Sequence, residues 1–353
     1  MNLREQVGQL IIAGVDATKL SPLERAWLKL IRPGGIILFR RNIEQAPQVT
    51  ALLREATEIA GAPLFRCVDL EGGLVDRLRD LIAPMPSAAA VFATGKPASF
   101  IRHGRLIARE AKALGFNVVL APVLDLALPI SESIMRTRVI SAEPSGVIAY
   151  ASAFIEGLAA EGVLACGKHF PGLGGGTLDS HHAMPLIERT WKELWAQDLT
   201  VFRALASRLP LVMVAHAAYP KIKGRTPASI SPFWITNILK KRIGFRDLVI
   251  SDDMEMGGIL TQASIEEASI QAILAGTDLI EICRDPSLIL RAYEALLAEA
   301  ERSAAFRRRV ATSSRRILEC KERLLNANMP RPASASQIQK LRDAIINFSE
   351  GIQ

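Results

Sequence analysis

Aromatic residues are scarce in this chain, 5% of 353 residues, and none falls inside its small basic clusters Lys240-Lys241-Arg242 and Arg307-Arg308-Arg309. A nucleic-acid surface interleaves cations with stacking rings, so the net charge of +7 reads as solvated helix faces and not as a polynucleotide site. Cysteine is rarer: Cys67, Cys166, Cys283 and Cys320 are too widely spaced for a zinc site or a disulfide frame. They read as small buried fillers in a reducing compartment, which sets the cytoplasm as the expected location. No run approaches the ~18 apolar residues of a membrane span. The apolar stretch Leu10 to Val15 is too short for a signal-peptide core. A glycine-rich phosphate loop after the first strand-like run is missing, as are internal repeats and low-complexity tracts.

What the chain does have is 49% hydrophobic and 22% charged residues, an ordinary globular composition. Eight short apolar runs recur along it: 9–15, 35–39, 64–68, 118–123, 163–166, 211–215, 248–250 and 279–282. Segments of helical period separate them, among them 46–60, 99–114, 144–160, 190–206, 232–243 and 264–274. Strands alternating with helices pair in parallel through crossovers, and eight of them predict a single-domain (β/α)₈ TIM barrel over 1–326. The alternative, an open doubly wound sheet, usually has fewer strands. A long helical stretch follows from 289 to 325 with a break near Ala304, and 327–353 reads as a C-terminal linker and short helix.

Polar groups follow four of the apolar runs: Asp69 after Val68, Lys168-His169 after Cys166-Gly167, His216 after Ala215, and Asp252-Asp253 after Ser251. In a barrel those strand ends converge on one face, where active sites are built. The richest segment is Lys168-His169-Phe170-Pro171-Gly172 through Asp179-Ser180-His181-His182, which holds three of the five histidines and reads as a loop. Asp179 and His181 stand two apart, close enough for one side chain to orient the other for proton transfer. Taken alone, the same triplet reads as a surface turn with an Asx-type hydrogen bond. Asp252 and Asp253 are adjacent on a strand end, so only one is expected to face the barrel mouth. His103, on a helical segment between Arg102 and Arg105, reads as a surface residue, and His216, at a strand end, is expected to line the pocket without a chemical role.

Lys168-His169-Phe170-Pro171-Gly172 resembles the signature of glycoside hydrolase family 3. Asp179-Ser180-His181 resembles that of its bacterial β-N-acetylhexosaminidase branch, whose members act in peptidoglycan recycling. Val68-Asp69-Leu70-Glu71-Gly72-Gly73-Leu74-Val75-Asp76-Arg77 is similar to the family's substrate-binding turn, and Val249-Ile250-Ser251-Asp252-Asp253-Met254 to its nucleophile motif. The resemblance implies Asp252 as nucleophile, His181 as general acid/base with Asp179 as its partner, and Asp69, Arg77, Arg138, Lys168 and His169 as sugar-binding residues. It implies a carbohydrate substrate, an N-acetylhexosaminide, with no cofactor and no metal; nucleic-acid and membrane partners are not expected, and a monomer is. Asp253 is then left with structural hydrogen bonds. Leu173 and Gly175 stand where the family commonly has histidine and aspartate. Leu70 and Leu74 replace a usual glutamine and arginine, and the segment around Arg138 has lost its usual serine-phenylalanine-glycine. Two other readings stay open: a β-glucosidase or glycoside phosphorylase on the same fold, and a sugar-binding protein without turnover.

Overall fold

A computed structural model of the chain describes residues 1–176, 183–325 and 333–352. Eight strands close into a parallel barrel: β1 (Ile11–Gly14), β2 (Gly35–Leu38), β3 (Phe65–Val68), β6 (Val118–Val119), β7 (Leu164–Phe170), β8 (Leu211–Val214), β9 (Leu248–Asp253) and β10 (Leu279–Ile282). Each pairs with its neighbour along the chain, and β10 returns to β1 to close the ring. A two-stranded antiparallel hairpin, β4 (Leu70–Gly72) and β5 (Val75–Asp76), rises from the end of β3. The fold is a (β/α)₈ TIM barrel, as the alternation of runs predicts. Strands covered on both faces read as near-continuous apolar runs, which is why all eight were legible.

Local chemistry fixes the helices. Ser21 accepts the Glu24 N–H at 3.2 Å while the Glu24 carboxylate accepts the Ser21 N–H at 2.7 Å, a reciprocal cap at the start of Pro22–Ile31. Ser264 and Glu267 repeat the device ahead of Ile265–Ala275. The segment expected as one helix over 190–206 breaks at Gln197 into Trp191–Ala196 and Asp198–Leu205. The long C-terminal stretch divides at Ser303, its side chain accepting the Phe306 N–H, into Pro286–Arg302 and Ala304–Leu324. At the lower end of the barrel, Lys321 of the second of these donates to Gln9 at 2.8 Å and lies over the Phe65 ring at 5.2 Å.

One expectation fails here. His103 is fully buried, its Nδ1 2.8 Å from the Tyr150 hydroxyl and its ring edge-on to Phe154. It lies on the face of Pro97–Ala113 that also carries Phe100, Ile107 and Ala111, and that face packs against Pro144–Ala160. Gly104 makes the contact close: a Cβ there would lie 2.2 Å from the Phe154 carbonyl oxygen. The C-terminal helix Ala335–Glu350 covers the same region and buries Ile345 and Phe348.

Candidate active site

The polar groups that follow the apolar runs meet at the C-terminal mouth of the barrel. Asp69, Arg77, Arg138, Lys168, His169 and Asp252 all border one cavity of about 170 Å³. That is well under the ~300 Å³ at which clefts for drug-sized ligands begin, and it suits a single small polar ring.

Lys168 anchors the wall. It is 3% exposed, 2.9 Å from Asp69 and 2.7 Å from Glu71. Glu71, on β4, also takes a two-pronged contact from Arg138 at 2.8 and 2.9 Å, while Arg77 stands 3.5 Å from Asp69. Burial alone would push both carboxyls up, yet Lys168 with Arg77 holds Asp69 well below the usual carboxylate range, and Arg138 with Lys168 holds Glu71 down to about 2. Burial opposes the Lys168 ammonium, but the same two acids raise it above its ordinary value. The network joins three strand-end segments into one charged wall with fixed donors and acceptors.

His169 is held from behind. Its Nδ1 lies 2.7 Å from Asp125 Oδ2, and Asp125 Oδ1 accepts the Leu173 N–H at 2.6 Å. Among the described residues Nε2 of His169 has no hydrogen-bond partner, and it is the ring atom left to meet a ligand. Neither Glu71 nor Asp125 was assigned a role from the sequence. Glu71 lay in the binding-turn segment. Asp125 follows the run 118–123, the same signal of a polar group after a strand that marked Asp69.

Two of the expectations about local structure are corrected. Lys168, His169 and Phe170 are not loop but the last residues of β7. Asp252 and Asp253 both border the cavity, although adjacent strand residues should diverge. One irregularity explains each case. On β7 the pairing advances from Gly167↔Val212 to Phe170↔Val214, three steps against two. On β9 it advances from Ile250↔Leu279 to Asp253↔Glu281, again three against two. Each strand therefore carries one extra residue, a bulge that re-aims side chains at the mouth.

Asp252 Oδ1 accepts the Asp253 N–H at 2.9 Å, and Asp253 Oδ1 accepts the Glu255 N–H at 3.0 Å. Burial, with Glu255 and Asp252 nearby, pushes the Asp253 carboxyl up to about 7. His216 does not border the cavity: it is buried, 2.7 Å from the Ser229 hydroxyl and 3.0 Å from the Asp253 carbonyl oxygen, and so supports the end of β9 from behind. Asp179, His181 and His182 lie outside the described residues. Among the described residues no cluster of three or more His, Cys, Asp and Glu side chains is placed to hold a metal ion, and no helix is long and apolar enough to cross a membrane.

Comparison with known proteins agrees with the fold. Residues 2–320 match the glycosyl hydrolase family 3 N terminal domain. A beta-hexosaminidase of Idiomarina loihiensis is 35% identical over 305 residues, covering 85% of this chain and 91% of its own. The structure of a family 3 beta-N-acetylglucosaminidase from Paenibacillus sp. FPU-7 superposes with a TM-score of 0.89 at 30% identity, covering 99% of this chain and 69% of that one. A beta-N-acetylhexosaminidase structure from Beutenbergia cavernae gives 0.85 at 28% identity, covering 91% and 99%. Barrel and sequence agree: the chain belongs to glycoside hydrolase family 3.

Proposed function

We propose that this glycoside hydrolase removes terminal β-linked N-acetylglucosamine with retention of configuration, with peptidoglycan fragments as a natural source of that sugar. The observation that carries the reading is Asp252 bordering a one-sugar cavity whose wall is the Lys168–Asp69–Glu71–Arg138 network. Asp69, Arg77, Arg138, Lys168 and His169 hold the sugar through its hydroxyls. The Asp252 carboxylate attacks the anomeric carbon as the bond to the leaving oxygen breaks, and the His181 imidazolium gives that oxygen its proton. In the second step water attacks the same carbon, His181 takes the proton, and the ester to Asp252 breaks. Asp179 orients the imidazole and stabilises its charged form, as the acid of a catalytic triad does. Imidazole suits both halves because its ordinary pKa of about 6.5 lets it give and take a proton near neutrality.

The four free cysteines are all buried, which supports a reducing compartment and with it the cytoplasm. We read 1–326 as the catalytic unit and 327–353 as an appended segment. The test is product analysis with N-acetylglucosaminyl and glucosyl substrates, with and without phosphate. Release of N-acetylglucosamine at a rate indifferent to phosphate is expected. A preference for glucosides, a rate that depends on phosphate, or binding without turnover would each overturn the reading.

A further inference from the structure

Glu281 interrupts the apolar strand β10, Leu279-Ile280-Glu281-Ile282, with a carboxyl group that is 2% exposed and borders the cavity. Its backbone is fully engaged: the N–H donates to the Ser251 hydroxyl at 3.0 Å, and the carbonyl accepts the Met254 N–H at 2.8 Å. Its side chain is not, for Oε1 is buried with no hydrogen-bond partner among the described residues. The groups facing it are Cys67 and Asp69 from the end of β3, Cys166 and Lys168 on β7, Asp252 and Asp253 on β9, and Cys283 just beyond β10. Lys168, the cation among them, is already shared between Asp69 and Glu71.

We infer that Glu281 is a specificity-determining residue whose carboxyl group, from the wall of the pocket, hydrogen-bonds an uncharged oxygen substituent of the terminal sugar. Three observations lead there. A buried polar atom without a partner is costly, and native structures keep one where a ligand or a function supplies the missing contact. A leucine or valine would satisfy a barrel strand at this position without that cost. The carboxyl also sits on the cavity wall beside Asp252, within reach of what the cavity holds. Its chemistry selects the ligand group. Burial pushes the carboxyl well up, and Asp69, Asp252 and Asp253 push it further, which favours the protonated form that can donate. An ionised carboxylate there would instead recruit a cation such as the ammonium of a non-acetylated amino sugar. This inference rests on the proposed sugar pocket and names one more group within it.

The experiment measures binding of N-acetylglucosamine, its 3-, 4- and 6-deoxy analogues and glucosamine by calorimetry, for the wild type, Glu281→Leu and Glu281→Gln. Loss of one hydrogen bond is expected to weaken N-acetylglucosamine by about tenfold in Glu281→Leu, while Glu281→Gln, which keeps a donor, stays within a few-fold of wild type. One deoxy analogue should lose affinity in the wild type and lose no more in Glu281→Leu, which identifies the oxygen contacted. Binding within twofold of wild type in Glu281→Leu, or wild-type preference for the glucosamine cation that disappears in that variant, overturns the inference. If Glu281→Leu does not fold, Glu281→Met takes its place in the same comparison. If the wild type binds glucose in place of N-acetylglucosamine, the proposed function fails separately, and the same variants compared on glucose and its deoxy analogues still decide the role of Glu281.

Discussion

Lys168→Met keeps most of the aliphatic stem and removes only the ammonium that bridges Asp69 and Glu71. Both carboxylates are then left in a wall where Lys168 and Glu71 are each 3% exposed at the side chain and Asp69 is 16%. Removing one partner of a buried ion pair costs about 3–5 kcal/mol, because the other charge is stranded. Arg77 and Arg138 remain, so the lower half of that range is expected near neutral pH. The pH dependence has a definite sign. Lys168 helps hold both acids below their ordinary values of 3.8 and 4.5, Glu71 at about 2. Stability from a depressed carboxyl is fully present above its unfolded pKa and is lost as pH falls through the folded one. The unfolded chain is common to both proteins, so the difference between wild type and variant should be largest near neutral pH and narrow as pH falls toward about 2, where Glu71 of the wild type is protonated too. Urea titrations followed by circular dichroism across that range measure it. Turnover should fall by at least about a hundredfold, since a misplaced sugar loses near-attack geometry. A deficit under about 1 kcal/mol, the size of an exposed pair, or one that persists unchanged in acid would refute the account of the wall.

Asp252→Ala should abolish turnover with an unchanged melting profile, and a 5-fluoro N-acetylglucosaminyl inactivator should label Asp252 in peptide mass spectra; a label on Asp253 would reassign the nucleophile. His181→Ala should slow substrates with poor leaving groups far more than activated aryl glycosides, with Asp179→Ala a milder version, and azide should partly restore the His181 variant; an equal loss on both substrate types would deny His181 the acid role. Gly104→Ala puts a methyl 2.2 Å from the Phe154 carbonyl oxygen, a backbone group that cannot swing aside, so it should destabilise the fold by about 1–3 kcal/mol in denaturant titrations, and a neutral result would show that the two helices part freely.

The barrel was legible because each strand is buried on both sides and announces itself as an apolar run, and because polar residues that follow such a run have one place to go. Asp69, Lys168 and Asp252 were found that way. Asp125 carries the same mark but lies in no motif, and it touches His169 and not the open cavity. Glu281 was hidden differently, inside an apolar run, where a single acid reads as noise until burial and the missing partner are seen. His103 misled because Arg102 and Arg105 flank it, although Phe100 and Ile107 three and four residues away place it on the apolar face. The bulges in β7 and β9 could not be read, since an extra residue in a strand leaves no trace in composition.

Those two bulges bear on how much chemistry a barrel can carry. A regular eight-stranded barrel offers one layer of four inward positions at its mouth, supplied by alternate strands. A glycosidase needs more groups than that: a nucleophile, cations and acceptors for several hydroxyls. Extra residues on β7 and β9 turn two successive side chains toward the opening where a regular ladder would turn one, so capacity rises without a ninth strand or a wider ring. The gain is fragile to length. Deleting one residue between Gly167 and Phe170, or between Ile250 and Asp253, would restore an even ladder and leave the hydrophobic pattern almost untouched. It would also swing Lys168 and His169, or Asp252 and Asp253, out of phase with their neighbours. At these two places the spacing of residues carries the specification, and relatives that differ widely in side chains should still agree in count.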